Sequence, residues 1–128
     1  MFLEGEKKNV EYKLTYSKTI LKTVCAFANF HDGSIILGVR DDGTVVGVDR
    51  IDEAKLNIEN AINDAILPRP YYEFQVHALE ELKLLIVKVY KGDHTPYTYQ
   101  NKAYMRRDTA TVQVDATDRK SVVVGKTV

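Results

Sequence analysis

Residues 33–48 read Gly33-Ser34-Ile35-Ile36-Leu37-Gly38-Val39-Arg40-Asp41-Asp42-Gly43-Thr44-Val45-Val46-Gly47-Val48. Two β-rich runs, Ser34 to Val39 and Thr44 to Val48, flank Arg40-Asp41-Asp42-Gly43, and the Asp-Gly pair predicts a hairpin turn between them. Gly38 and Gly47 fit bulges or close backbone approach in that hairpin better than ligand contact.

Upstream, Ile20, Leu21, Val24, Cys25 and Ala28 recur at three- and four-residue steps, which predicts a helix from a Ser17 cap to Phe30. Asn29 is read as its C-terminal cap, or else as a polar contact holding the next loop. Before it, Val10-Glu11-Tyr12-Lys13-Leu14-Thr15 alternates apolar and polar as a half-buried strand does. Downstream, Ala54, Ile58, Ala61, Ile62 and Ala65 predict a second helix over 51–67. Asp52 would cap it, Ile51 would staple onto Leu56, and Pro68 would stop it. Strands at Tyr71 to Leu79 and Leu82 to Tyr90, a loop over 91–96 and a short strand at Ala103 to Arg107 follow. The order β-α-β-β-α-β-β-β predicts a single α+β domain, a mixed or antiparallel sheet with two helices packed against it. The domain is expected over 1–116, with 117–128 a flexible or inter-subunit tail.

At 128 residues the chain has the size of one globular domain. No apolar run approaches the roughly 20 residues that span a bilayer, and Met1 to Lys8 has no secretory core, so a soluble cytoplasmic protein is expected. A single cysteine, Cys25, excludes an internal disulfide, and His31, His77 and His94 are too scattered for a zinc site. Cys25 lies on the apolar stripe of the first helix and reads as a small buried hydrophobe. His94 sits in a loop beside Asp93 and reads as a solvated side chain. Gly125-Lys126-Thr127 suggests a phosphate-binding loop, but Lys120 stands where that motif requires glycine.

Lys plus Arg and Asp plus Glu number 18 each, so no overall basic excess marks a nucleic-acid binder. The charge is uneven, however. Acids dominate from Asp49 to Glu81, whereas bases collect at Lys7, Lys8, Lys13, Lys18 and Lys22 and again at Lys102, Arg106 and Arg107. If those two segments meet, one face is basic; the alternative is an ordinary mixed surface.

Glu6-x4-Glu11-x-Lys13, Ala26-Phe27-Ala28-Asn29, Gly33-Ser34-Ile35-Ile36-Leu37-Gly38-Val39, Asp41-Asp42-Gly43-x3-Gly47, Pro96-Tyr97 and Tyr104-Met105-Arg106-Arg107, in that order, resemble the Schlafen/AlbA-type DNA-binding domain from about Glu6 to Ala116. The His31-Asp32-Gly33 stretch departs from it, since the family prefers two glycines there. The resemblance implies the N-terminal domain of a longer transcriptional-regulator-like or divergent AAA, helicase-like protein. It also implies two activities.

One is DNA or RNA binding through the phosphate backbone by Lys13, Arg40, Lys102, Arg106 and Arg107, with Tyr97, Tyr99 and Tyr104 interleaved as stacking surfaces; this needs no cofactor. Neighbours on a strand point to opposite faces, so at most one of Arg106 and Arg107 joins a common patch. The other is a Mg²⁺- or Mn²⁺-dependent ribonuclease whose acidic trio matches Glu6, Glu11 and Asp41. A spacing of five converges only if residues 5–8 turn and the strand begins near Val10, and Asp41 and Asp42 equally suit turn chemistry. A third reading is a protein-interaction or homodimerisation module, and none of the three involves a membrane.

Overall fold

A computed structural model describes residues 5–114. The expected tail over 117–128, and the boundary before it, lie outside the described residues. Val10–Lys13 forms β1, Thr19–Phe30 forms α1 and Gly33–Leu37 forms β2. β1 and β2 run parallel, with Glu11 opposite Ile35, and α1 is the crossover between them. Ile51–Ala65 is α2, which runs straight into the two-residue strand β3, Ile66–Leu67. Tyr71–Leu79 (β4) and Leu82–Tyr90 (β5) pair antiparallel along their whole length. Thr98–Tyr99 (β6) pairs with β3, and Tyr104–Arg107 (β7) forms a hairpin with Ala110–Gln113 (β8). The main sheet is mixed, in the order β1-β2-β5-β4. This is the α+β class expected.

Alternation along β2 and β5 divides the apolar side chains between two faces. Ile35, Leu37, Leu85, Val87 and Val89 join Ile20, Val24 and Phe27 of α1 and Ile58 and Ile62 of α2 in the main core. Tyr12, Val39, Val45 and Leu84 make a smaller cluster on the opposite face. Burying the large side chains of the main core contributes about 1.5–3 kcal/mol each, and this is why helix and sheet stay together.

Local expectations are corrected in five places. The second helix stops at Ala65 rather than Leu67, because Ile66 and Leu67 pair with β6. The second arm of the hairpin is no strand: Val39 and Val45 make one isolated bridge, after which the amides of Val46 and Gly47 both donate to Gly38 O (2.7 and 2.9 Å). That convergence is possible because Gly38 and Gly47 have φ of 98° and 87°, and a Cβ on Gly38 would lie 2.9 Å from the Gly47 carbonyl carbon. Ser17 does not cap α1, because its Oγ instead meets Thr19 Oγ1 at 2.7 Å. α2 begins one residue before Asp52, which sits in the first turn rather than capping it, and Leu56 is exposed, so no staple forms. Finally, Asn29 is no helix cap. Its Oδ1 accepts from Tyr97 N (2.6 Å) and its Nδ2 donates to Tyr97 O (2.9 Å), so a buried amide takes the place a neighbouring strand would fill.

Candidate nucleic-acid interface

The N-terminal approach to β1 is a tight turn in which Lys7 and Val10 exchange backbone hydrogen bonds (3.0 and 3.1 Å). The strand thus starts at Val10, as convergence of Glu6 and Glu11 requires, and Glu6 reaches back to accept from Tyr12 N at 2.6 Å. Glu11 points elsewhere. Its Oε1 accepts from Arg106 Nη1 at 2.8 Å, and both side chains are nearly inaccessible (10% and 0%). Arg106 also donates from Nε to Lys8 O (3.2 Å) and from Nη2 to Lys7 O (3.3 Å) and Val10 O (3.1 Å). Its Cζ stands 5.9 Å from the Phe27 ring centroid.

Arg106 is therefore a buried clasp joining β7 to the turn before β1, and phosphate cannot reach it. Arg107, the next residue, is exposed. The alternation rule separates the two as expected.

Asp41 lies in the exposed hairpin loop with Asp42. Asp42 Oδ1 accepts from Thr44 N at 2.9 Å, and hydrogen bonding by Thr44 holds its carboxyl below the usual range. Asp42 at least serves the turn. Among the described residues no three His, Cys, Asp or Glu side chains stand together as a metal needs. Glu11 spends one oxygen on Arg106, and its Oε2 is buried without a hydrogen-bond donor. The trio as placed here does not fit a divalent cation.

Stacking by tyrosine is likewise closed off. Tyr97 is fully buried, and Tyr99 and Tyr104 are each 6% exposed, so their rings are core and offer bases no face. Burial holds the Tyr104 hydroxyl protonated beyond its ordinary range. Cys25 donates to Tyr97 O at 2.9 Å, and burial pushes its thiol up to about 12, far from nucleophilic. His94 is exposed in its loop, as expected.

Two groups of bases concern the interface, while Lys8, Arg50, Arg69, Lys83 and Lys91 are exposed elsewhere. Lys13, half-buried, and Arg40 share a shallow depression with Asp41 and Asp42, where acids match bases. The other group surrounds the junction of α1 with the turn before β7. Lys22 Nζ sits 5.6 Å above the Tyr104 ring, a cation–π contact that fixes its direction. Lys102 is exposed in a turn closed by reciprocal bonds between its backbone and that of Tyr99 (2.9 and 3.0 Å). Lys18 edges a groove of about 470 Å³ with Tyr16, Thr98, Gln100 and Asn101, faced by a single acid, Asp64. Lys18 and Lys22 were not singled out in the sequence as contact residues. Their four-residue spacing, off the apolar stripe of α1, is the signal that finds them.

No curated protein matches the chain. Among solved structures it is similar to the N-terminal domain of a RecG-related protein, named for ATP-dependent DNA helicases, from Nitrosomonas europaea. The TM-score is 0.65 at 23% identity, over 87% of this chain and 85% of that one. It is also similar to the DIP2311 protein from Corynebacterium diphtheriae, with a TM-score of 0.69 at 15% identity over 93% of this chain. There the match spans only 24% of the larger protein. At these identities the likenesses show the fold. The family model described as Schlafen, AlbA_2 matches residues 6–115, most of the chain. Together with the mixed sheet, the Gly38–Gly47 crossing and the motifs that run through them, this establishes that the chain belongs to the Schlafen/AlbA_2 family.

Proposed function

We propose that this domain binds nucleic acid, DNA in the first instance, along the phosphate backbone, as the cytoplasmic N-terminal module of a larger transcriptional-regulator-like protein. The observation that carries the reading is the group formed by exposed Lys18 and Lys102 and half-buried Lys22 beside the Tyr104 ring, with exposed Arg107 on the same hairpin and a single acid, Asp64, facing the Lys18 groove. Arg106 supports it indirectly. By binding the carbonyls of Lys7 and Lys8 it brings the two base-rich segments of the sequence side by side.

Lysine side chains neutralise phosphates by displacing condensed counterions, so affinity depends on salt and little on sequence, and no cofactor is needed. With Tyr97, Tyr99 and Tyr104 buried, the reading rests on backbone contact rather than on stacking by these rings. Lys13 and Arg40, beside two aspartates, are assigned a minor share. The RecG-related neighbour is named for a DNA helicase, which agrees with DNA as the first ligand to try.

The test is a titration of a short labelled duplex at several salt concentrations. Binding that weakens with salt, with a slope lowered by about one in Lys22→Ala and again in Lys102→Ala, supports the reading. A slope unchanged in both variants overturns it. Parallel lanes with Mn²⁺ and labelled tRNA are expected to show intact RNA.

A further inference from the structure

The main sheet ends on β4, and among the described residues no strand pairs with its outer side. β4 is nine residues long, and each is in register with β5, so its outer edge is regular as well as open. Such an edge is a template for another strand, and proteins that keep one unpaired usually place lysine or proline on it. Tyr71-Tyr72-Glu73-Phe74-Gln75-Val76-His77-Ala78-Leu79 has neither. Tyr71 is 67% exposed and Val76 48%.

We propose that β4 pairs antiparallel with β4 of a second copy of this chain, about a two-fold axis at Gln75, joining two four-stranded sheets edge to edge. Polar complementarity selects the partner and the register. A two-fold normal to the sheet keeps each side chain on its own face, so only like-parity residues oppose one another. An axis at Glu73 sets two carboxylates against each other and one at His77 two imidazoles, whereas an axis at Gln75 opposes two side-chain amides, each able to donate to the other. An axis at Phe74 puts Glu73 opposite Gln75, and one at Val76 puts it opposite Leu79.

Only the axis at Gln75 aligns the whole of β4, and it places Glu73 opposite His77 of the second copy, twice by symmetry. On the face that carries the helices, Phe74 then meets Val76 and Tyr72 meets Ala78. Tyr72 and Phe74 already pack on the main core, so the apolar layer continues across the junction and the exposed Val76 gains cover. Glu73 retains the Tyr90 hydroxyl as donor from β5. The pairing also sets two basic groups on one particle, which raises avidity for a long phosphate backbone.

Sedimentation of the full chain over a concentration series is expected to show a reversible monomer–dimer equilibrium. Val76→Lys, at an already exposed position, should weaken dimerisation about tenfold or more by placing a charge against Phe74. His77→Glu should weaken it by opposing two carboxylates, and adding Glu73→His to that variant should restore it. Circular dichroism of each variant confirms that the fold is kept. A monomer at every concentration overturns the proposal, as does a dimer indifferent to Val76→Lys. Failure of the double variant to recover rejects the Gln75 register. If the full chain is monomeric but a chain ending at Ala116 dimerises, residues 117–128 occupy the edge, which also overturns it.

Discussion

The two ends of β1 carry charged groups of similar composition that serve opposite purposes. At the first end Glu11 and Arg106 are sealed from water, and Arg106 donates to Glu11 and to three backbone carbonyls. At the other, Lys13 stands with Arg40, Asp41 and Asp42 around an open depression. In the interior, removing one charge strands the other without water, which is far costlier than the pair is worth. At the surface, solvent replaces whatever is removed. Family motifs therefore mix residues that build the domain with residues free to meet a ligand, and only burial tells them apart.

The sharpest way to break this contrast is to truncate each end. Arg106→Ala or Glu11→Ala is expected to cost about 3–5 kcal/mol of stability, since each leaves a buried charge unpaired. Lys13→Ala and Arg40→Ala should each stay within about 0.5 kcal/mol. Urea midpoints of the four variants measure this directly, and a small loss at Arg106 would mean that the clasp is dispensable. A direct corollary concerns nuclease assays: any activity lost in Glu11→Ala must first be corrected for unfolded protein.

Asn29→Ala sits between these extremes. It strips two hydrogen bonds from a buried peptide group, and about 2–3 kcal/mol should be lost. Amide exchange at Tyr97 would report the loosened loop. Arg107→Ala should change stability as little as the Lys13 and Arg40 variants, within about 0.5 kcal/mol, although it is the immediate neighbour of the most sensitive position. A large loss there would show that β7 is anchored through both faces.

A subtler effect is a dependence on alkaline pH. The Cys25 thiol has its pKa raised to about 12 in the folded chain against 9.0 when free, so its contribution is complete below pH 9. As pH rises from 9 towards 12 the unfolded chain loses the proton while the folded chain keeps it, and stability falls. Denaturation midpoints at pH 8 and pH 10 should differ less in Cys25→Ala than in the unaltered chain. Equal differences would place the pH dependence on the tyrosines instead, whose hydroxyls at positions 16, 72, 90 and 104 are also raised.

Much of the fold was legible because it follows periodicity. The three-to-four step of Ile20, Leu21, Val24 and Ala28 and the paired nine-residue strands leave little choice of element. What escaped were pieces held by tertiary contact alone. β3 and β6 are two residues each and exist because they pair with each other, 31 positions apart. The run from Thr44 to Val48 has strand composition, but Gly38 draws Val46 and Gly47 onto one carbonyl and ends the ladder. The site was less legible than the fold. Nothing local to Arg106 distinguishes it from Arg107 except parity, and parity does not say which face is inward. Tyrosine has both an apolar ring and a polar tip, so Tyr97, Tyr99 and Tyr104 serve a core or a platform equally well until packing decides.

The Arg106 clasp also imposes an order on the making of the protein. Its contact with Glu11 spans 95 residues of sequence. A ribosome adding about 5–20 residues per second produces the acid several seconds before its cation. Throughout that interval Glu11 has no permanent reason to leave water, and β1 has no clasp to hold it beside β2. Closure of the domain thus waits for β7, and a chain halted before Arg106 carries a Glu11 carboxylate with no cation against which to be buried.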